Sequence, residues 1–219
     1  GGEGGPIYGT AHITLNNGYI GYQYNASGTD NDKTAIDERY EEKIIDDTYK
    51  DTDGHFVANQ NLYDSGCIFG GGYIDNSSVD ITKVKMFDGH VRNALFGGGE
   101  IAAIGRGKII ASGTDNSERS LDEIYKAGKT NIELFGGHVH RNVFGGGRGY
   151  NNLGDHGTLF SDGYVFGQTE VHVHGGEIGT EAGLAMEYGN VFGGGDIGYV
   201  YSAYEYVENG TKKLGRGMK

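Results

Sequence analysis

Phe69-Gly70-Gly71-Gly72, Phe96-Gly97-Gly98-Gly99, Phe144-Gly145-Gly146-Gly147 and Phe192-Gly193-Gly194-Gly195 are four copies of one tetrapeptide. An aliphatic residue precedes each Phe: Ile68, Leu95, Val143 and Val191. The flanks repeat as well. Lys83–Phe96 aligns without a gap on Asn131–Phe144, and a third copy starts at Glu170–Ile178, takes an insertion and resumes at Asn190-Val191-Phe192. An opening copy survives as His12–Ile20. The unit is a short alternating strand, a Gly-centred turn, a second short strand and the Phe-Gly-Gly-Gly corner. Alternation is the strand period, so Val84/Met86, Ile132/Leu134 and Val171/Val173 are expected to share one buried face. A unit this small cannot bury that face alone, whereas stacking like on like buries it continuously. Three consecutive glycines permit a sharp turn and a close approach of neighbouring backbones. The expected fold is therefore all-β, a right-handed parallel β-helix (β-solenoid) with short helical and loop insertions. Phe69, Phe96, Phe144 and Phe192 would form an internal ladder, one ring per coil. A β-propeller needs blades of about 40–50 residues, and the spacing of 27 between Phe69 and Phe96 is too short for one.

Composition narrows the function classes. Of 219 residues, 43 are Gly and 1 is Pro, which excludes collagen and Pro-rich tracts. The formal charge of −12 argues against nucleic acid or an anionic membrane as partner. No run has the length of a membrane helix. The lone cysteine, Cys67, rules out an intrachain disulfide and reads as a small core residue. The chain opens Gly1-Gly2-Glu3-Gly4-Gly5 with neither signal peptide nor initiator Met, as expected of a mature segment of a larger protein.

Along the chain, 1–219 reads as one domain. Residues 1–6 are a flexible lead, and Ile7-Tyr8-Gly9-Thr10 resembles a degenerate corner. Insertions at 26–61 and 111–128 both begin Ala-Ser-Gly-Thr-Asp-Asn, at an offset of 85. Ile36/Tyr40/Ile44 and Leu121/Ile124/Tyr125 have helical spacing, with Gly128 as the second helix's stop. Residues 149–167 form a loop, 179–189 a shorter insertion, and the polar tail from 205 to 219 is expected to fray.

Candidate sites follow from donor chemistry. Residues 30–53 carry ten acidic groups against four basic ones, and Asp47, Asp51 and Asp53 before Gly54 suggest calcium, although the spacing fails the EF-hand rule. A solvated acidic loop is the plainer account. Aligning the repeats stacks His90, His138 and Glu177 on successive coils, a column that could hold a metal or simply be an inherited surface ladder. His172 and His174 fall at other columns. Tyr19, Tyr22 and Tyr24 cluster in the first coil as candidate glycan contacts, or as packing beneath the acidic insertion. Gly107-Lys108 fails as a phosphate loop, and no nucleophile elbow or Cys–His pairing is present.

The strand–Gly-Gly–strand–Asn-Val-Phe-Gly-Gly-Gly pattern, clearest at Ile132–Gly147, resembles the Gly-rich repeats of large bacterial cell-surface and secreted proteins with a pectin-lyase-like β-helix. The resemblance covers most of residues 7–200. It implies an extracellular, adhesin-like structural module, with a polysaccharide lyase or glycoside hydrolase as the alternative. Asp155-His156-Gly157 matches part of the polygalacturonase pattern, whose Asn-Thr-Asp and Arg-Ile-Lys elements are absent. No catalytic set is assigned. The implied partners are a glycan or a cell-surface ligand, with no membrane insertion, and open coil ends would allow end-to-end self-association.

Overall fold

A computed structural model describes residues 5–21, 66–73, 77–111, 119–149, 163–179, 189–196 and 198–216. The described residues are all-β, without a helix, in seventeen strands. A first round of chain supplies β1 (Ile7–Leu15), β2 (Tyr19–Ile20) and β3 (Ile68–Phe69). A second supplies β4 (Val79–Met86), β5 (His90–Val91) and β6 (Leu95–Phe96). After the excursion β7 (Arg106–Ala111) and β8 (Arg119–Lys126), a third supplies β9 (Gly128–Leu134), β10 (His138–Val139) and β11 (Val143–Phe144). The fourth supplies β12 (Val165–Val173), β13 (Glu177–Ile178) and β14 (Val191–Phe192). The last elements are β15 (Val200–Tyr201), β16 (Ala203–Glu208) and β17 (Thr211–Arg216).

Three parallel sheets take one strand from each round: β1-β4-β9-β12-β15, β2-β5-β10-β13 and β3-β6-β11-β14. Their register joins each repeat position to its own copy. Val84 pairs with Ile132 and Met86 with Leu134, Val91 with Val139, and Phe96 with Phe144. The aliphatic core is built from those positions, with Val84, Met86, Val91, Leu95, Ile132, Leu134, Val139 and Val143 all at 1% exposure or less. Val171 packs against this core. Val173, expected beside it, is 48% exposed because β12 lies near the end of its sheet and only β15 follows, pairing at Val165 and Phe166.

The corners explain the glycines. A Cβ on Gly98 would lie 2.5 Å from the Gly147 nitrogen of the next round, so the rounds could not close at their present spacing. In the turns before β5 and β10, Gly89 and Gly137 have φ of +105° and +84°, a region that L side chains rarely enter.

The four Phe rings stack in one column. Ring centroids are 4.7 Å apart for Phe69–Phe96, 4.9 Å for Phe96–Phe144 and 5.0 Å for Phe144–Phe192, all nearly parallel. It is a cluster separate from the aliphatic core, because adjacent residues of a strand face opposite ways and Leu95 and Val143 point into that core. Phe96 and Phe144 are buried, while Phe192, the last ring, is 43% exposed. Cys67 is half-buried against this cluster.

Five expectations are corrected. Residues 119–126 are not helical but form β8, antiparallel to β7. Ile124 is buried and Tyr125 exposed, the alternation of a strand, and Ile109-Ile110 in β7 supplies the partner that makes the hairpin. Gly128 begins β9 rather than ending a helix. The tail from 205 is ordered to 216 as the β16–β17 hairpin, closed by Asn209-Gly210 with φ of +51° and +76°, the signature of a two-residue turn. Ile7–Thr10 belongs to β1, and Val165–Gly167, assigned to a loop, opens β12.

Candidate metal centre

The second sheet sets up the site. Its strands are two residues long, so each contributes one inward and one outward side chain per round. Val91 and Val139 point into the core, which sends Tyr19, His90, His138 and Glu177 outward in one column. Backbone bonds from the His138 amide to the Gly89 carbonyl and from the Glu177 amide to the Gly137 carbonyl, both 2.8 Å, fix the stagger between rounds. The column expected from the repeat alignment is therefore present in the expected register.

His140 joins it. Lying two residues beyond His138 and on the same side of Val139, it is buried at 9% exposure, and its ring centroid is 3.8 Å from that of His138. The imidazoles of His90, His138 and His140 each bring one nitrogen to a common point, all three within 4.8 Å of one another. His90 Nδ1 and His140 Nε2 are 3.5 Å apart. His138 Nε2 faces the Gly179 carbonyl at 2.5 Å. A carbonyl only accepts, so Nε2–H donates, and in the neutral ring Nδ1 keeps its lone pair. That Nδ1 lies 3.8 Å from Glu177 Oε2. Tyr19 stacks on His90 at 5.0 Å and 7°, closing the far end of the column. Burial, and then repulsion from His138 and His90, pushes the His140 imidazolium pKa down to about 4. His140 is thus a neutral donor at physiological pH.

Three imidazoles beside a carboxylate suit a borderline divalent metal, whereas calcium takes six to eight oxygens. Sequence alignment missed His140 because the second round carries Arg92 there, so the column looked unrepeated. The signal lay along the strand instead, in His138-Val139-His140, whose first and third residues share a face.

The other candidates fall elsewhere. Asp47, Asp51, Asp53, Tyr22, Tyr24 and Asp155-His156 lie outside the described residues. Tyr19 is 44% exposed, with one ring face covered by His90. His174 continues a separate aromatic stack, Phe87–Phe135–His174, at 4.9 and 4.6 Å. Among the described residues, no helix is long and apolar enough to cross a membrane. Comparison with protein-family models, with curated proteins and with solved structures found no match.

Proposed function

We propose that this chain is a structural scaffold: a right-handed parallel β-solenoid segment of an extracellular, adhesin-like bacterial surface protein that contacts glycans. The observation that carries the reading is the pairing of each repeat position with its own copy, in three sheets at once. Such register lets a chain lengthen round by round while every interior round meets the same environment, which is what a stalk requires. The hand follows the general preference of parallel crossovers. Surface placement and glycan contact rest on the resemblance of the Asn-Val-Phe-Gly-Gly-Gly repeats and on a Tyr-rich chain with a net charge of −12.

The test pairs location with binding. Intact cells of the source are treated with an external protease, and the purified protein is passed over immobilised neutral and acidic glycans. The reading expects cleavage on intact cells and retention on some glycans, with no new reducing ends or unsaturated products. Product formation would replace it with a polysaccharide-cleaving enzyme. Protection until the cells are lysed would remove the surface placement.

A further inference from the structure

We propose that His90, His138 and His140, with Glu177 as the fourth donor, bind a divalent transition-metal cation of the zinc class, which ties three successive rounds of the chain together. Nothing in the scaffold reading requires this site; it rests on the geometry of the column.

The distances separate a metal site from an ordinary imidazole network. Protein hydrogen bonds donated by N–H to oxygen fall mostly between about 2.7 and 3.2 Å. The 3.5 Å between His90 Nδ1 and His140 Nε2 is long for that. It is close to the edge of a tetrahedron with metal–nitrogen bonds of about 2.0–2.1 Å, which is roughly 3.3 Å. His138 adds a second argument. Its Nε2–H is already committed to the Gly179 carbonyl, the arrangement that fixes a ligand's tautomer and raises the basicity of the other nitrogen. In the neutral ring that nitrogen, Nδ1, and the Glu177 carboxylate 3.8 Å away are two electron-rich groups facing each other. A cation between them satisfies both. Glu177 is 80% exposed on its side chain, free to swing by the fraction of its length that coordination needs, and it opens the entry path from solvent. The donors come from β5, from β10 and the residue after it, and from β13, which are adjacent strands of one sheet. Bound metal would therefore oppose the separation of those rounds. It would bind the folded chain in preference to the unfolded one, and so stabilise it by linkage.

The experiment uses the full chain without a polyhistidine tag, stripped with chelator and dialysed. Zn(II) is titrated calorimetrically and Co(II) by visible absorption, with thermal melts alongside. We expect one equivalent of Zn(II), tetrahedral Co(II) bands and a melting temperature that rises by several degrees and reverts with chelator. His90→Gln and His138→Gln should weaken Zn(II) by more than the roughly 10–100-fold that loss of an outer partner costs. Glu177→Gln, at an exposed position that folding does not depend on, should weaken it by about 10-fold, by the same reasoning. The double variant His172→Gln/His174→Gln should bind as the unchanged chain does. No Zn(II) binding by the folded, stripped wild-type chain would overturn the proposal. So would binding that survives all three site substitutions, or binding abolished only by His172→Gln/His174→Gln.

Discussion

The Thr130 hydroxyl donates to the Gly145 carbonyl at 2.6 Å, across fifteen residues of chain. Thr82 does the same to Gly97 at 2.5 Å and Thr169 to Gly193 at 2.6 Å. In the second, third and fourth rounds the first glycine of the corner thus receives a donor from the long strand before it, whereas the first round carries Ala11 at that position. Thr82 and Thr130 have no exposed surface, so this bond forms where water cannot substitute. Thr130→Val keeps the side-chain shape and removes the donor, leaving the Gly145 carbonyl without it. The expected loss is about 1–3 kcal/mol, or several degrees of melting temperature for a chain of this size. Thr130→Ser, which keeps the hydroxyl, should recover part of the loss. Equal denaturation midpoints for Val and wild type would show that the bond contributes nothing. The threonines stand one residue before the aligned repeats begin, at Lys83, Asn131 and Glu170, and carried no signal of burial. Thr is common on exposed strand faces, and only the corner's geometry shows that a hydroxyl is needed inside.

Among the elements, the segments following the second, third and fourth corners carry a charge column, Glu100, Arg148 and Asp196, that crosses rounds. Arg148 bridges to Glu100 at 2.6 Å, with both side chains largely buried, and its guanidinium lies over the Phe69 ring at 4.9 Å. Asp196 pairs through its backbone with Gly147 and Gly149 in the round of Arg148. Burial raises the Asp196 carboxyl above its ordinary value of 3.8, against a smaller downward pull from Arg148. Between that ordinary value and the raised one, the folded chain keeps a proton that the unfolded chain has lost. The contribution is therefore full at acid pH and declines as pH rises through the folded value. Asp196→Asn, neutral throughout, should flatten the melting temperature against pH from about pH 4 upward and should melt higher than wild type at pH 7. Thermal scans across that range decide it, and an unchanged slope would assign the dependence to another group. Elements were legible to uneven degrees. Long strands such as β9, whose seven residues alternate in burial throughout, follow from apolar period alone. The β7–β8 hairpin did not, since Leu121, Ile124 and Tyr125 also fit a helical face, and only the partner strand settles the period. The β16–β17 turn, Asn209-Gly210, was legible, but the charged residues around it drew the reading toward a frayed end.

For the whole molecule, the repeat that matters is the round of chain and not the 85-residue offset of the insertions. The offset relates two stretches that begin alike, but its first copy lies outside the described residues and its second leads into a strand rather than a helix. The register joins Phe69 to Phe96 across 27 residues and Phe96 to Phe144 and Phe144 to Phe192 across 48 each, so it follows the corner and no fixed spacing. Phe-Gly-Gly-Gly marked the corners because glycine there is demanded by the neighbouring round and so repeats wherever rounds meet. The metal column was legible only in part, since a site assembled once has no period to reveal it. A deletion of residues 97–144 tests the round as the unit. It joins Phe96 to Gly145, the residue that follows Phe144 in the register partner of Phe96, so the corner is preserved. The third round, with β7 and β8, is lost, and β12 must then lie on β4. Through their common partner β9, Val84 would meet Val171 and Met86 would meet Val173. In the same way Phe96 would stack on Phe192. Each of these apolar contacts is again like on like, and Val171 and Val173 gain the cover they would have lost with β9. The shortened chain should keep a β-type circular dichroism spectrum and one cooperative transition, at a lower melting temperature because one interface between rounds has gone. It should also lose the zinc-class site, which needs His138 and His140. A chain that aggregates or shows no transition would mean that stability resides in contacts particular to the third round, and the register would then be a consequence of the fold rather than its cause.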